Sequence, residues 1–185
     1  MAARVVNRRW LYRGAVFDVR QDRVVEPGGV RAVRDVVVHS GSVVLLPVLS
    51  DGRVLLVRQY RHAVGRFLWE LVAGRIDPGE RPLAAARREL AEETGYRANS
   101  FRRLLAYFPT PGFLSERMVV YLVRGLRPGA ARPEEDERLV VRGFSLRRLE
   151  RMIRAGRIRD GKTILSLLFY LRFAARRSPL QAGEG

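Results

Sequence analysis

The sequence predicts an α/β fold of the α+β type, in which a mixed β-sheet is flanked by helices and preceded by an antiparallel sheet. Three observations carry this. β-Branched runs broken by turn residues fill the chain from Val5 to Leu49; an acid-rich helix framed by glycine loops follows over residues 74–96; and helical periodicity takes over from Ser145 to Arg177. A chain of 185 residues with 47% hydrophobic content can bury a sizeable core as one domain. It has no cysteine, which excludes disulfides and thiolate metal sites, and no apolar run reaches the length of a bilayer. The opening MAARVVNRRW lacks the apolar core of a signal peptide, so a cytoplasmic location is expected.

Residues 1–40 read as an N-terminal β-sheet segment. The runs WLYRGAVFDVRQDRVVEP, VRAVRDVVVHS and SVVLLPVLS suit strands, with Gly28-Gly29 as a turn between the first two. Asp51-Gly52 is the strongest hairpin signal in the chain and joins Leu49 to VLLVRQYR. Arg58, Arg61 and Glu70 are the polar candidates of the next stretch, where surface charges beside a strand are the plainer reading.

The acid-rich helix follows from local chemistry. Asp77-Pro78-Gly79 makes a turn, Pro82 suits a first helical turn and Gly95 suits a left-handed cap, so the helix is expected from about Arg81 to Thr94. Glu89, Glu92 and Glu93 then stack on one face at i, i+3 and i+4. Like charges at that spacing repel, and a positive partner should offset them. Oxygen-only donors suit a hard divalent cation such as Mg²⁺; internal Arg–Glu pairs on a solvated surface helix are the alternative. Glu80 adds a fourth acid, while Leu83, Ala86, Leu90, Ala91 and Thr94 offer a face that can pack on a sheet.

Beyond the helix, FRRLLAYF, ERMVVYLVRGL and RLVVRGFSL read as strands, with TPGFLS and the acidic run Pro133–Glu137 as loops between them. LRRLERMIRAG places Leu146, Leu149, Met152 and Ile153 on one face, and KTILSLLFYLRFAARR is apolar on most sides, as a core or dimer-contact helix would be. Residues 178–185 read as a tail.

The order Gly74, Glu80, Arg88-Glu89-Leu90, Glu92-Glu93, Gly95 resembles the Nudix box at every polar and glycine position; it departs only at Tyr96, where the family carries an aliphatic residue. The resemblance implies a Nudix fold over residues 41–177 with the box as a loop-helix-loop. It also implies hydrolysis of a nucleoside diphosphate derivative with Mg²⁺, or Mn²⁺ or another divalent cation, held by the Ala73 carbonyl, Glu89 and Glu93. Glu92 would be a further ligand or supporting acid, and Arg88 would pair with the box acids.

Pro111, sixteen positions after Gly95, and the run Thr110-Pro111-Gly112 resemble the mark of the ADP-ribose pyrophosphatase subfamily, although Pro-Gly alone would make a plain turn. That resemblance implies ADP-ribose, or a related nucleoside diphosphate sugar, split to AMP and ribose 5-phosphate. Arg61, Glu70, Pro111, Gly112 and Glu116 would lie on the substrate side. Glu135 or Glu137 would be the general base of the loop or an additional metal ligand, and the N-terminal sheet would form a homodimer contact. Phe17 and Arg34 are candidates for the adenine, and Val38 departs from an acid common in that subfamily. The alternatives are another Nudix substrate such as GDP-mannose, or a silent module that senses a nucleotide or binds nucleic acid. A net charge of +16 invites the nucleic-acid reading, but the arginines are spread from Arg4 to Arg177 rather than clustered on one element, and a nucleic-acid partner is not expected.

Overall fold

The computed structural model describes residues 2–129 and 139–174. A three-stranded antiparallel sheet comes first, made of β1 (Arg4–Arg13), β2 (Asp18–Val25) and β3 (Arg31–Val38). The run WLYRGAVFDVRQDRVVEP is therefore two strands, divided at residues 14–17. β1 is exposed along its whole length, so this sheet has no cover of its own on that side. Its internal ties are polar: Asp22, 4% exposed, takes Arg8 at 2.8 Å and Arg20 at 3.1 Å.

The chain then enters β4 (Ser42–Pro47), every residue of which is buried. Its side chains alternate between two cores, as strand geometry requires. Val43 and Leu45 join Val57, Val72, Ala85, Ala86, Leu90 and Val123 on one side; Val44 and Leu46 join Leu56, Leu71, Val120, Phe144, Leu149 and Leu167 on the other. β4 pairs antiparallel with β7 (Val72–Arg75) and parallel with β9 (Met118–Pro128), which pairs with β8 (Tyr96–Tyr107) to complete a mixed sheet.

β5 (Val54–Arg61) departs from the expected hairpin. The Asp51-Gly52 turn forms, with Gly52 at φ 81° and Leu49 N–H donating to the Arg53 carbonyl, but its ladder ends at a single Val48–Val54 bridge. β5 instead lies between β6 (Arg66–Glu70) and β10 (Val140–Phe144) in a separate antiparallel sheet. The reason is burial. Val54 to Val57 and all of β4 are covered on both faces, which two packed layers achieve and one continuous hairpin would not.

Helix α1 (Pro82–Thr94) covers one face of the mixed sheet, starting at the proline and ending at Gly95, whose left-handed φ of 71° lets its N–H reach the Ala91 carbonyl. Its buried face is Ala85, Ala86, Glu89, Leu90, Glu93 and Thr94. Leu83, expected to pack, is exposed, because the face that meets the sheet is centred on the two alanines and Leu90. Tyr96 packs beside the same core, so its departure from the aliphatic norm is absorbed in packing. Helices α2 (Leu146–Arg154) and α3 (Gly161–Phe169), the latter running into a π-helical turn over Tyr170–Ala174, cover the other core. Leu149 and Met152 of α2 are buried, with Leu146 and Ile153 packed at the margin.

Leu90 is fully buried where α1 meets the sheet. Leu90→Ala is expected to cost about 2–5 kcal/mol, at roughly 2–4 °C of melting temperature per kcal/mol in a chain of this size; calorimetry against the unsubstituted protein measures it.

Candidate active site

The turn before α1 is closed by Glu80, whose N–H donates to the Asp77 carbonyl at 2.9 Å while its carboxylate accepts the Asp77 N–H at 3.1 Å. That fold-back brings Glu80 beside Arg88, one turn and more into the helix. Arg88 is the hub of the region: it donates to Glu80 at 3.0 and 3.2 Å, to Glu89 at 2.6 Å, to Glu92 at 3.1 Å and to the Arg75 carbonyl at 2.9 Å. Its pKa is raised, first by the hydrogen bond to Glu80 and further by Glu89 and Glu92, against the opposing effect of burial; Arg88 likewise lowers that of Glu80.

Gly74 completes the arrangement. It lies on β7 directly against the Glu89 carboxyl, and a Cβ there would overlap that carboxyl's carbon and both oxygens. Only glycine leaves the strand open to the acid. Ala73, Gly74, Arg88, Glu89, Glu92 and Glu93 share a cavity of about 330 Å³, which Ala15 and Val16 from the β1–β2 loop also line. Arg75 pins that loop by donating to the Ala15 carbonyl.

The donors in this cavity are carboxylates and a strand carbonyl, the hard oxygen set that suits Mg²⁺ or a similar divalent cation, and the missing Cβ at 74 leaves room for approach. As the side chains stand, no three acidic or histidine groups among the described residues are gathered at metal-holding geometry. Arg88 bridges Glu80, Glu89 and Glu92.

The substrate-side candidates divide. Arg61 and Glu70 meet in a two-point pair at 2.9 and 2.8 Å, with Glu70 only 1% exposed. Burial alone would raise the Glu70 pKa, but Arg61 and Lys162 outweigh it and the carboxyl titrates below its usual range. Glu70 is thus held inside the protein, and Arg61, within electrostatic reach of Glu93, is the member of the pair that faces outward.

Glu116 accepts the Ser42 hydroxyl at 2.5 Å and lies 3.6 Å from His39, where β4 and β9 begin. Tyr107 nearby is pushed up to about 12 by burial and by Asp160 and Glu116, so it stays protonated. Pro111 and Gly112 form an exposed turn whose next residues dock on β3 through Val37 N–H to the Phe113 carbonyl and Ser115 N–H to the Val37 carbonyl. Gly112 has no close neighbour that a side chain would meet.

Phe17 lines a second cavity of about 370 Å³, shared with Val38, His39, Ser40 and Arg75, on the far side of the β1–β2 loop. Arg34 lines neither cavity and pairs with Glu26 at 2.8 and 3.0 Å; its register partner is Asp22, so it reaches along the hairpin toward the β2–β3 turn. Val38 is in register with Asp18, so an acid is present here on the adjacent strand. Glu135 and Glu137 lie outside the described residues. Sequence reasoning missed Ser42, His39, Asp160, Thr163 and the role of Lys162; the one available signal was that Lys162 is the only lysine among 35 basic residues.

A model of the NUDIX domain matches residues 38–166 of the chain. The chain belongs to the NUDIX family. It is 37% identical over 167 residues to an ADP-ribose pyrophosphatase of Mycobacterium tuberculosis, covering 88% of this chain and 80% of the relative. It is 30% identical over 168 residues to an ADP-ribose pyrophosphatase of Bacillus subtilis, with 90% and 91% covered. A crystal structure described as an ADP compounds hydrolase shares the fold, with a TM-score of 0.79 at 23% identity over 92% of this chain and 93% of that one. Hydrolases of the NUDIX family generally use divalent cations, which agrees with the oxygen-only donor set.

Gly74→Ala is the sharpest test of this geometry. It should displace Glu89 and lower metal-dependent turnover by at least about 10²-fold, while far-ultraviolet dichroism stays that of the folded protein.

Proposed function

We infer that this NUDIX protein hydrolyses the diphosphate bond of ADP-ribose, or of a closely related nucleoside diphosphate sugar, to AMP and ribose 5-phosphate. The observation that carries the reading is the cavity at Ala73, Gly74, Glu89, Glu92 and Glu93 under the control of Arg88, in a chain 37% identical to an ADP-ribose pyrophosphatase. The nucleotide substrate and the absence of cysteine fit a cytoplasmic enzyme.

The residues divide the work. The Ala73 carbonyl, Glu89 and Glu93 would hold Mg²⁺, or Mn²⁺ in its place, with Glu92 as a further ligand or supporting acid. The bound ion supplies neutralisation of the diphosphate and a more acidic water. Arg88 offsets the mutual repulsion of Glu80, Glu89 and Glu92 and so supports the box acids from beside the proposed ligands. Arg61 presents its guanidinium to the diphosphate, a group whose planar donors match phosphate oxygens. Glu116, fixed by Ser42, faces the sugar end with the Pro111-Gly112 turn beside it. Glu135 or Glu137 takes the proton of the attacking water.

Product analysis decides the substrate. With Mg²⁺, ADP-ribose should yield AMP faster than GDP-mannose yields GMP, and a chelator should stop both. Glu93→Gln should lose most turnover at saturating Mg²⁺, and one of Glu135→Gln and Glu137→Gln should lose about 10²–10⁴-fold as a missing general base does. Faster cleavage of GDP-mannose would transfer the assignment to that sugar nucleotide; salt-sensitive RNA binding without hydrolysis would replace the enzyme reading.

The N-terminal sheet, residues 1–40, is assigned to a homodimer contact. Supporting this, β1 is exposed throughout, Val6 and Val33 are 57% and 53% exposed, and they line a groove of about 500 Å³ with Arg4, Arg23 and Arg31. Light scattering should give twice the 21.1 kDa chain mass, and Val6→Asp with Val33→Asp should halve it. A monomer at micromolar concentration in the unsubstituted protein would end the assignment.

A further inference from the structure

Lys162 is the only lysine in a chain with 35 basic residues, and it stands where a cation is least expected. It occupies the first turn of α3, where the helix dipole disfavours positive charge, and its side chain is only 12% exposed. Local helix energetics do not explain it. What surrounds it does: Nζ donates to Glu70 Oε2, and also to Asp160 Oδ1 at 3.0 Å.

The bonds close into a ring. Asp160 caps α3 by accepting the Thr163 N–H at 2.9 Å and takes the Thr163 hydroxyl on the same oxygen. The Thr163 hydroxyl oxygen in turn accepts the Leu71 N–H at 2.8 Å, so the circuit returns to the residue after Glu70. Glu70 and Leu71 lead directly into β7, which carries Ala73 and Gly74. A compact ammonium fits between two carboxylates, whereas a guanidinium would bring a broad fork into the same space.

We propose that Lys162 is a positioning residue of this hydrolase, holding Glu70 Oε2 from the α3 side so that Arg61, which shares that oxygen and also takes Oε1, is fixed and turned toward the substrate's diphosphate. Arg61 commits Nε and Nη2 to Glu70 and remains 40% exposed. With Lys162 in place, two cations share the buried charge of Glu70, and Arg61 is not the sole neutraliser of that acid. Without Lys162, Glu70 holds Arg61 more strongly and is itself less well anchored. The effect on substrate therefore passes through Arg61. Ion networks of this kind contribute more reliably to geometry than to net stability, and each member here is satisfied.

The inference rests on Arg61 contacting the substrate, and the test separates the two. KM for ADP-ribose at saturating Mg²⁺ is measured for Arg61→Met, Lys162→Met and the double variant, with melting temperature for each. Arg61→Met should raise KM about tenfold or more, as loss of a charged phosphate contact does. Lys162→Met should raise KM about fivefold to tenfold, and the double variant should match Arg61→Met alone, because Lys162 acts only through that arginine. If Arg61→Met leaves KM unchanged, the substrate role of Arg61 fails. If Arg61→Met raises KM and Lys162→Met does not, or their effects multiply, the positioning role is overturned. KM does not depend on the folded fraction, so a drop in melting temperature with unchanged KM marks Lys162 as merely structural; Lys162→Gln, which keeps a donor toward Glu70, repeats the cycle if the methionine variant is too unstable to assay.

Discussion

The structure depends on a single cation among several acids. Glu89 and Glu93 sit on the buried face of α1, at 9% and 6% exposure, with Glu92 between them on the same helix. Carboxylates this close would repel one another and resist removal from water. Arg88 answers both costs by reaching Glu80, Glu89, Glu92 and the Arg75 carbonyl at once. The turn at Asp77–Glu80 follows from this, since it exists in the form that delivers Glu80 to the arginine. So does Gly74, because a strand bearing any side chain there could not lie against Glu89. The motif's spacing is thus a set of positions tied to one guanidinium.

The strand that carries Ala73 and Gly74 is held from both sides. On one, α1 packs Ala85, Ala86 and Leu90 against Val43, Leu45 and Val72. On the other, the start of α3 grips Glu70 and the Leu71 N–H through Lys162 and Thr163. β7 is an edge strand of the mixed sheet, so these two packed layers are what fix the base of the box loop. The second helical layer is tied to the box strand through this grip.

What was legible in the sequence was local. Pro82, Gly95 and the turn at Asp77-Pro78-Gly79 bound α1 to within one residue, because caps and turns are decided by neighbouring backbone chemistry. The acids of the box were legible for the same reason, their spacing being a property of one helix. The Asp51-Gly52 turn was read correctly, but the strands it joins belong to different sheets, a choice made by burial over the whole chain. Glu70–Lys162 pairs groups 92 positions apart and Ser42–Glu116 groups 74 apart. No period or motif links such residues. Arg34, a candidate for the adenine by residue type, is paired with Glu26 beside the β2–β3 turn, a contact that no motif announces.

The charge balance of the whole chain is opposite in sign to that of the acids lining the cavity. With 35 basic residues against 19 acids, the surface attracts a nucleoside diphosphate over a range set by ionic strength, about 8–10 Å at physiological salt. The cavity reverses that sign at short range, since Glu89, Glu92 and Glu93 line it. On the proposed reading a bare diphosphate would be drawn to the molecule and repelled by these carboxylates. A divalent ion would remove that repulsion, so the placement of the few acids of a basic protein would favour a metal-bound diphosphate over a free one.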